Sequence, residues 1–216
     1  ESAACKRSEL GALFRQEGPT RFGDFATVQN GYAFKSEWFV ANGVRLARNA
    51  NVGHGELVWS DVAYLDKDRR HEFQRFELSN GDILVSLDRP LISTGVKAAR
   101  VRSSDLPALL LQRVGRIQLK SPEGLLPDYV FGWLRSPAFA ESIDPGRSNG
   151  VPHISSKDIE GLPFSPPSPR YQELAIRRSE TLQNRFDELG ATQRRTRSEI
   201  DAVIPVVLDR AFRGGL

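Results

Sequence analysis

The residues able to do chemistry are thinly spread. Cys5 is the single cysteine, and the three histidines, His54, His71 and His153, are dispersed. A zinc site needs clustered cysteine and histidine ligands, so this distribution argues against one. A P-loop needs glycines to cradle phosphates and a lysine to reach them, as in GxxxxGK[ST]. The nearest glycine-rich stretch, Asn-Val-Gly-His-Gly-Glu at 51–56, has no lysine and reads as a turn. No GxSxG nucleophile elbow is present. Pro127-Asp128 could open an acidic nuclease motif, but Glu141-Ser142-Ile143 supplies no lysine where divalent-metal chemistry would want one. An AdoMet-binding glycine loop and an Asn-Pro-Pro-Tyr-type tetrad are missing too. The expectation is a chain that is not itself an enzyme, with no catalytic residue, metal site or cofactor of its own.

What remains is the chemistry of recognition. Reading DNA takes cations for phosphates and Arg, Lys, Asn, Gln or Ser on loops for base edges. Arg48-Asn49-Ala50-Asn51 follows an apolar run. Asp88-Arg89-Pro90, with Ser93, Thr94 and Lys97 after it, follows another. Pro145 to Gly150 carries Arg147 and Asn149, with His153 and Lys157 beyond. With Lys35, the candidate DNA-binding set is Lys35, Arg48, Asn49, Asn51, Arg89, Lys97, Arg147, Asn149, His153 and Lys157. Each has a plainer reading: Arg48 and Arg89 as surface ion pairs, 147–150 as a flexible turn. No helix-turn-helix, zinc-finger or RRM signature occurs, so a standard small module does not explain the loops.

These loops need a frame. Residues 1 to about 17 read as a helix, with Leu10, Leu13 and Phe14 at helical spacing and Gly18-Pro19 ending it. It has the character of an attached segment. From about Arg21, short apolar runs alternate with Gly, Asn, Asp and Pro. Ile83 to Leu87 and Arg116 to Leu119 read as strands. Tyr129, Val130, Trp133, Leu134 and Phe139 recur at helical intervals, with Pro127 suited to the first turn. Three prolines within 164–169 then force an extended linker. Beyond it, Leu174, Leu182, Phe186 and Leu189 form one helical stripe, and Ile200, Val203, Ile204, Val207, Leu208 and Phe212 another. The polar, basic stretch 190–197 between them predicts a bend or break, and Pro205 suits the start of a final short helix. A helix over 170–213 would extend about 65 Å at roughly 1.5 Å per residue. A stripe that long seeks a partner helix, as in a coiled coil. The expected fold class is α+β: a mixed α/β domain at 21–168, preceded by a helical segment and linker at 1–20 and followed by a helical arm at 169–216.

Composition bounds the partners. With 39% hydrophobic and 26% charged residues, the chain is an ordinary globular one. Its net charge of +3 and pI of about 9.2 suit nucleic acid without demanding it. A lone cysteine excludes an internal disulfide framework and points to a reducing, cytoplasmic setting. The apolar runs are too short for a membrane span, which takes roughly 20 residues. The chain begins with Glu1 and contains no methionine, which implies a processed chain or a piece of a longer one.

Several stretches together resemble the specificity subunit of type I restriction–modification systems, from about Phe22 to Leu216. Residues 31–39 (GYAFKSEWF) are similar to that family's opening G-aromatic-x-F-K/R-S stretch. Residues 45–55 (RLARNANVGHG) resemble its R-x-x-N-x-x-x-G strand and turn. Residues 80–90 (NGDILVSLDRP) are the most telling. Residues 109–117 (LLLQRVGRI), 128–139 (DYVFGWLRSPAF), 150–164 (GVPHISSKDIEGLPF) and 207–216 (VLDRAFRGGL) follow in family order. The resemblance implies a target recognition domain that reads one half of a split double-stranded DNA site. It also implies a helical region that pairs as an antiparallel coiled coil, spaces the half-sites and docks the DNA methyltransferase subunit. AdoMet would then belong to that partner, and ATP-driven cleavage to a restriction subunit. Such subunits usually carry two recognition domains and two helical regions, and one of each is present here. The chain is therefore expected to be either the C-terminal half of a full subunit or a half-size subunit that homodimerises. After the proline linker, Gln172, Glu173 and Ile176 keep part of the family's Glu-Gln-then-Ile pattern. Base-reading residues vary between members, so the candidate set rests on loop chemistry alone. The alternative is a coiled-coil assembly or adaptor protein without direct base readout, and a third reading is a self-contained nuclease.

Overall fold

A computed structural model describes residues 2–87, 96–121, 123–143 and 154–212, excluding the side chains of 2, 3, 5–7 and 205–211. The chain divides into two compact units, Glu1–Ile176 and Arg177–Leu216. The class is α+β, with a long C-terminal helix.

The first unit is built on two four-stranded sheets. One runs in the order β1 (Ala26–Asn30), β8 (Val114–Leu119), β5 (Ile83–Ser86), β6 (Ala98–Arg100), antiparallel throughout. The other runs β2 (Phe39–Val40), β4 (Ala63–Leu65), β3 (Val44–Ala47), β7 (Ala108–Leu110), with β3 and β7 parallel. Period-2 alternation sorts side chains between layers. Ile83 and Val85 enter a helix-covered core with Ala98 and Ile117. Leu84 points the other way, to meet Ala99, Val114, Ala47 and Leu110 between the sheets. Val44, Leu46 and Leu109 face a third cluster with Phe34 and Phe73. A strand buried on both faces shows no polar alternation, which is why Ile83 to Leu87 is uninterruptedly apolar but for Ser86.

The helix-covered core is aromatic. Phe22, Trp133, Phe139 and Phe164 pack with ring centroids 4.7–5.1 Å apart. The single helix expected across 128–140 is two: α3 (Pro127–Leu134) and α4 (Pro137–Ser142). Pro137 has no N–H to continue α3, and Ser136 caps α4 by accepting from the Phe139 N–H at 3.3 Å. Helix α1 (Ser2–Phe14) is not a loose attachment. Phe14 is only 1% exposed and belongs to this core.

Two short helices, α2 (Phe22–Phe25) and α5 (Ser156–Glu160), flank β1. The final helix, α6, runs Pro169–Phe212 without the break expected at 190–197. Gly190 is the one poor helix former in that stretch, at about 1 kcal/mol relative to alanine. Ala191, Gln193 and the arginines favour helix, and Arg195–Glu199 and Arg197–Asp201 form i,i+4 ion pairs at 3.6 and 3.8 Å. Both pairs are exposed and add little each. Among the described residues no helix is long and apolar enough to cross a membrane.

Candidate nucleic-acid interface

The turn after β3 is organised by its own polar side chains. Asn51 is 1% exposed. Its Oδ1 accepts from the Arg48 N–H at 3.1 Å, and its amide donates to the carbonyls of Val58 (2.9 Å) and Asp61 (2.8 Å). A buried amide so engaged shapes the turn and is not offered to an outside ligand, which corrects the expectation for Asn51. Asn49 donates to the Leu87 carbonyl at 3.0 Å and accepts from the Ser86 hydroxyl. It therefore pins the end of β5, where the chain enters 88–95, and is a positioning residue rather than a free base reader. Arg48 pairs with Asp61 at 2.9 Å and donates to its carbonyl at 2.8 Å, leaving its buried Nε without a partner among the described residues.

The remaining candidates scatter. Lys35 is exposed, 3.7 Å from Glu37 and 5.6 Å from the Trp38 ring centroid. Lys157 is exposed on α5, which is seated at the edge of β1 by a Glu160 carboxylate accepting from the Val28 N–H at 2.7 Å. Arg89, Arg147, Asn149 and His153 lie outside the described residues. Lys97, half-buried just before β6, has company that sequence reading missed.

That company comes from two other elements. The tight turn at 53–56 closes with the Gly53 N–H donating to the Glu56 carbonyl at 3.0 Å. Gly55, at φ +111°, then lies along β6, donating to the Ala98 carbonyl at 2.8 Å and accepting from the Arg100 N–H at 3.2 Å. A side chain there would be strained, and its Cβ would sit 3.3 Å from Nη2 of Arg135. Arg135 ends α3 with its guanidinium 5.0 Å from the Phe131 ring. Phe131 and Arg135 are four residues apart on a helix, the one signal by which sequence could have flagged this arginine. Arg100, also 5.0 Å from Phe131, forms an ion pair with Asp128. The gathering of His54, Lys97 and Arg135 leaves a trace on the histidine. Its pKa is held below the usual 6.5, first by burial, then by Lys97, then by Arg135. Removing either cation should release part of this. Lys97→Gln is expected to raise the His54 pKa toward 6.5 in an NMR titration of the imidazole shifts. A pKa that stayed put would separate the two residues. Because the unfolded chain binds the extra proton first, His54 contributes stability that falls as pH drops through 6.5.

No family model matches. The chain is 50% identical over 140 residues to the type I restriction enzyme EcoAI specificity subunit of Escherichia coli, covering 65% of this chain and 24% of that one. It is 32% identical over 143 residues to the MjaVIII specificity subunit of Methanocaldococcus jannaschii, covering 66% and 33%. The chain thus spans a quarter to a third of the length of these curated relatives. Among solved structures, a chain from a study of complex assembly and conformational transition of the type I R-M system superposes with a TM-score of 0.75 at 15% identity, over 100% of this chain and 52% of that one. The HsdS subunit from Thermoanaerobacter tengcongensis superposes with a TM-score of 0.63 at 18% identity, over 100% and 51%. At those identities the structures speak for the fold alone. Over about two thirds of its length, this chain is similar in sequence to specificity subunits of type I restriction enzymes.

Proposed function

We propose that this chain reads DNA sequence for a type I restriction–modification methyltransferase, recognising one half of a bipartite site through residues 21–168. In this reading the helical arm, 169–216, docks the methyltransferase subunit, which supplies AdoMet, and the assembly can recruit a restriction subunit. The chain itself does no catalysis. The observation that carries the reading is the 50% identity over 140 residues to a specificity subunit.

The arm supports the docking half of it. Leu189, Ile200, Val203 and Ile204 are 48–56% exposed on one helix. An isolated helix cannot bury its own stripe, so such a stripe is stabilised by packing against another helix. A second copy of the arm, in a homodimer, is one such partner.

The test is a methylome. The chain would be co-expressed with its neighbouring methyltransferase subunit in a methylation-free host, and the modified bases sequenced. A split motif is the expected result, and a palindromic one marks a homodimer. If nothing is modified while the same methyltransferase is active beside a full-length specificity subunit, the reading fails.

A further inference from the structure

Two cationic side chains and a histidine, from three separate elements, come together with no acid paired to them among the described residues. His54 comes from the 53–56 turn, Lys97 from just before β6 and Arg135 from the end of α3. The neighbouring carboxylates are taken. Asp128 pairs with Arg100, and Glu56 pairs with Arg102 at 2.7 Å. Among the described residues neither Lys97 nor Arg135 has an ion pair, and His54 and Arg135 are exposed. Like charges gathered without a counterion repel, and folding alone gives no reason to bring them together. An incoming anion would remove that cost. The arrangement is also stiff. Gly55 is hydrogen-bonded to β6 on both its N–H and its carbonyl, and the Arg135 guanidinium is braced on Phe131.

We propose that His54, Lys97 and Arg135 form a phosphate cradle that grips the DNA backbone. This rests on the DNA-reading function proposed above and adds to it. Arg135 offers a planar fork of donors, Lys97 a point charge and His54 a ring N–H. None of these tells one phosphate from another, so the cradle fixes register and does not choose sequence. Lys97 lies two positions after the 88–95 segment in sequence, while Asn49 ties down Leu87, the residue just before it.

The experiment measures binding of the full chain to a mixed-sequence DNA duplex by fluorescence anisotropy, between about 50 and 200 mM salt. Each phosphate contact contributes about 0.9 to the slope of log K against log salt. Lys97→Gln with Arg135→Gln should therefore lower that slope by about 2. Lys97→Arg with Arg135→Lys should keep it, as should the charge-matched control Lys67→Gln with Arg15→Gln. An unchanged slope in the double glutamine variant overturns the cradle and leaves the DNA-reading function standing, since the wild-type chain still binds. Wild-type protein that shows no salt-dependent binding overturns both. In a parallel NMR titration, His54 should shift with duplex. A shift with inorganic phosphate and none with duplex would assign the site to a free anion and overturn the proposal.

Discussion

Phe14→Ala is expected to lower the stability of the Glu1–Ile176 unit by about 3–5 kcal/mol, the usual cost of emptying a fully buried phenylalanine site. The ring is 1% exposed and lies 5.3 Å from that of Tyr129. It presses on the backbone of α3 so closely that a Cβ at Gly132 would fall 2.5 Å from its Cζ. The cavity cannot close easily, because Tyr129, Trp133 and Leu134 on its far side are themselves held by the aromatic core. The effect should be read as a fall in the urea midpoint with the slope preserved. Gly132→Ala should also destabilise, by displacing the ring, and should cost much less once Phe14 is alanine. If the two losses simply add, the contact does not carry the coupling assigned to it. A loss under about 1 kcal/mol for Phe14→Ala would mean that α1 is not part of the core.

Gln172→Ala should be comparably severe for a different reason. The side chain is 0% exposed. Its Oε1 accepts from the Leu126 N–H at 2.8 Å, and its Nε2 donates to the carbonyls of Gly124 and Pro167, each at 2.7 Å. One amide thus satisfies three backbone groups from three places: the loop before α3, the start of α3 and the proline linker. Alanine removes all three bonds; Gly124 is exposed and can turn to water, while Leu126 and Pro167 are half-buried, so with about 1–3 kcal/mol for each buried group left unpaired a loss of about 3 kcal/mol is expected. Gln172→Glu should do no better, since a carboxylate there would face two carbonyl oxygens without a proton to give. Hydrogen exchange should rise first in residues 169–176, which the amide anchors. Unchanged protection in that stretch would show that the linker is held by other means.

The sequence was most readable where one physical rule acts alone. Apolar continuity marks Ile83 to Ser86 because the strand is covered on both faces, and Pro127 marks a helix start because its missing N–H costs nothing there. It was less readable where rules compete. Helical spacing from Tyr129 to Phe139 carried across Ser136-Pro137, although that pair is itself a cap and a start signal. Basic, polar composition at 190–197 suggested a break, whereas intrinsic propensity keeps the helix going. For the candidate site the limit is more basic. Asn49 and Asn51 have the chemistry of base readers, but that chemistry serves the backbone equally well. Only burial and partners show that they hold the turn. Arg135 carried almost no mark in sequence, because its significance lies in Lys97 and His54 reaching the same place from distant segments.

The two ends of the domain meet. The Thr20 hydroxyl donates to the Phe164 carbonyl at 2.6 Å across 144 positions of chain, and the Ser165 N–H returns a bond to Gln16 at 3.1 Å. Phe22 cannot bury its ring until Trp133, Phe139 and Phe164 exist. On a ribosome adding about 5–20 residues per second, that is a wait of roughly 7–30 seconds with the first aromatic faces uncovered. The segment from Phe14 to Phe25 is made well before the residues that cover it, and that interval is when a nascent chain of this fold has most need of a chaperone.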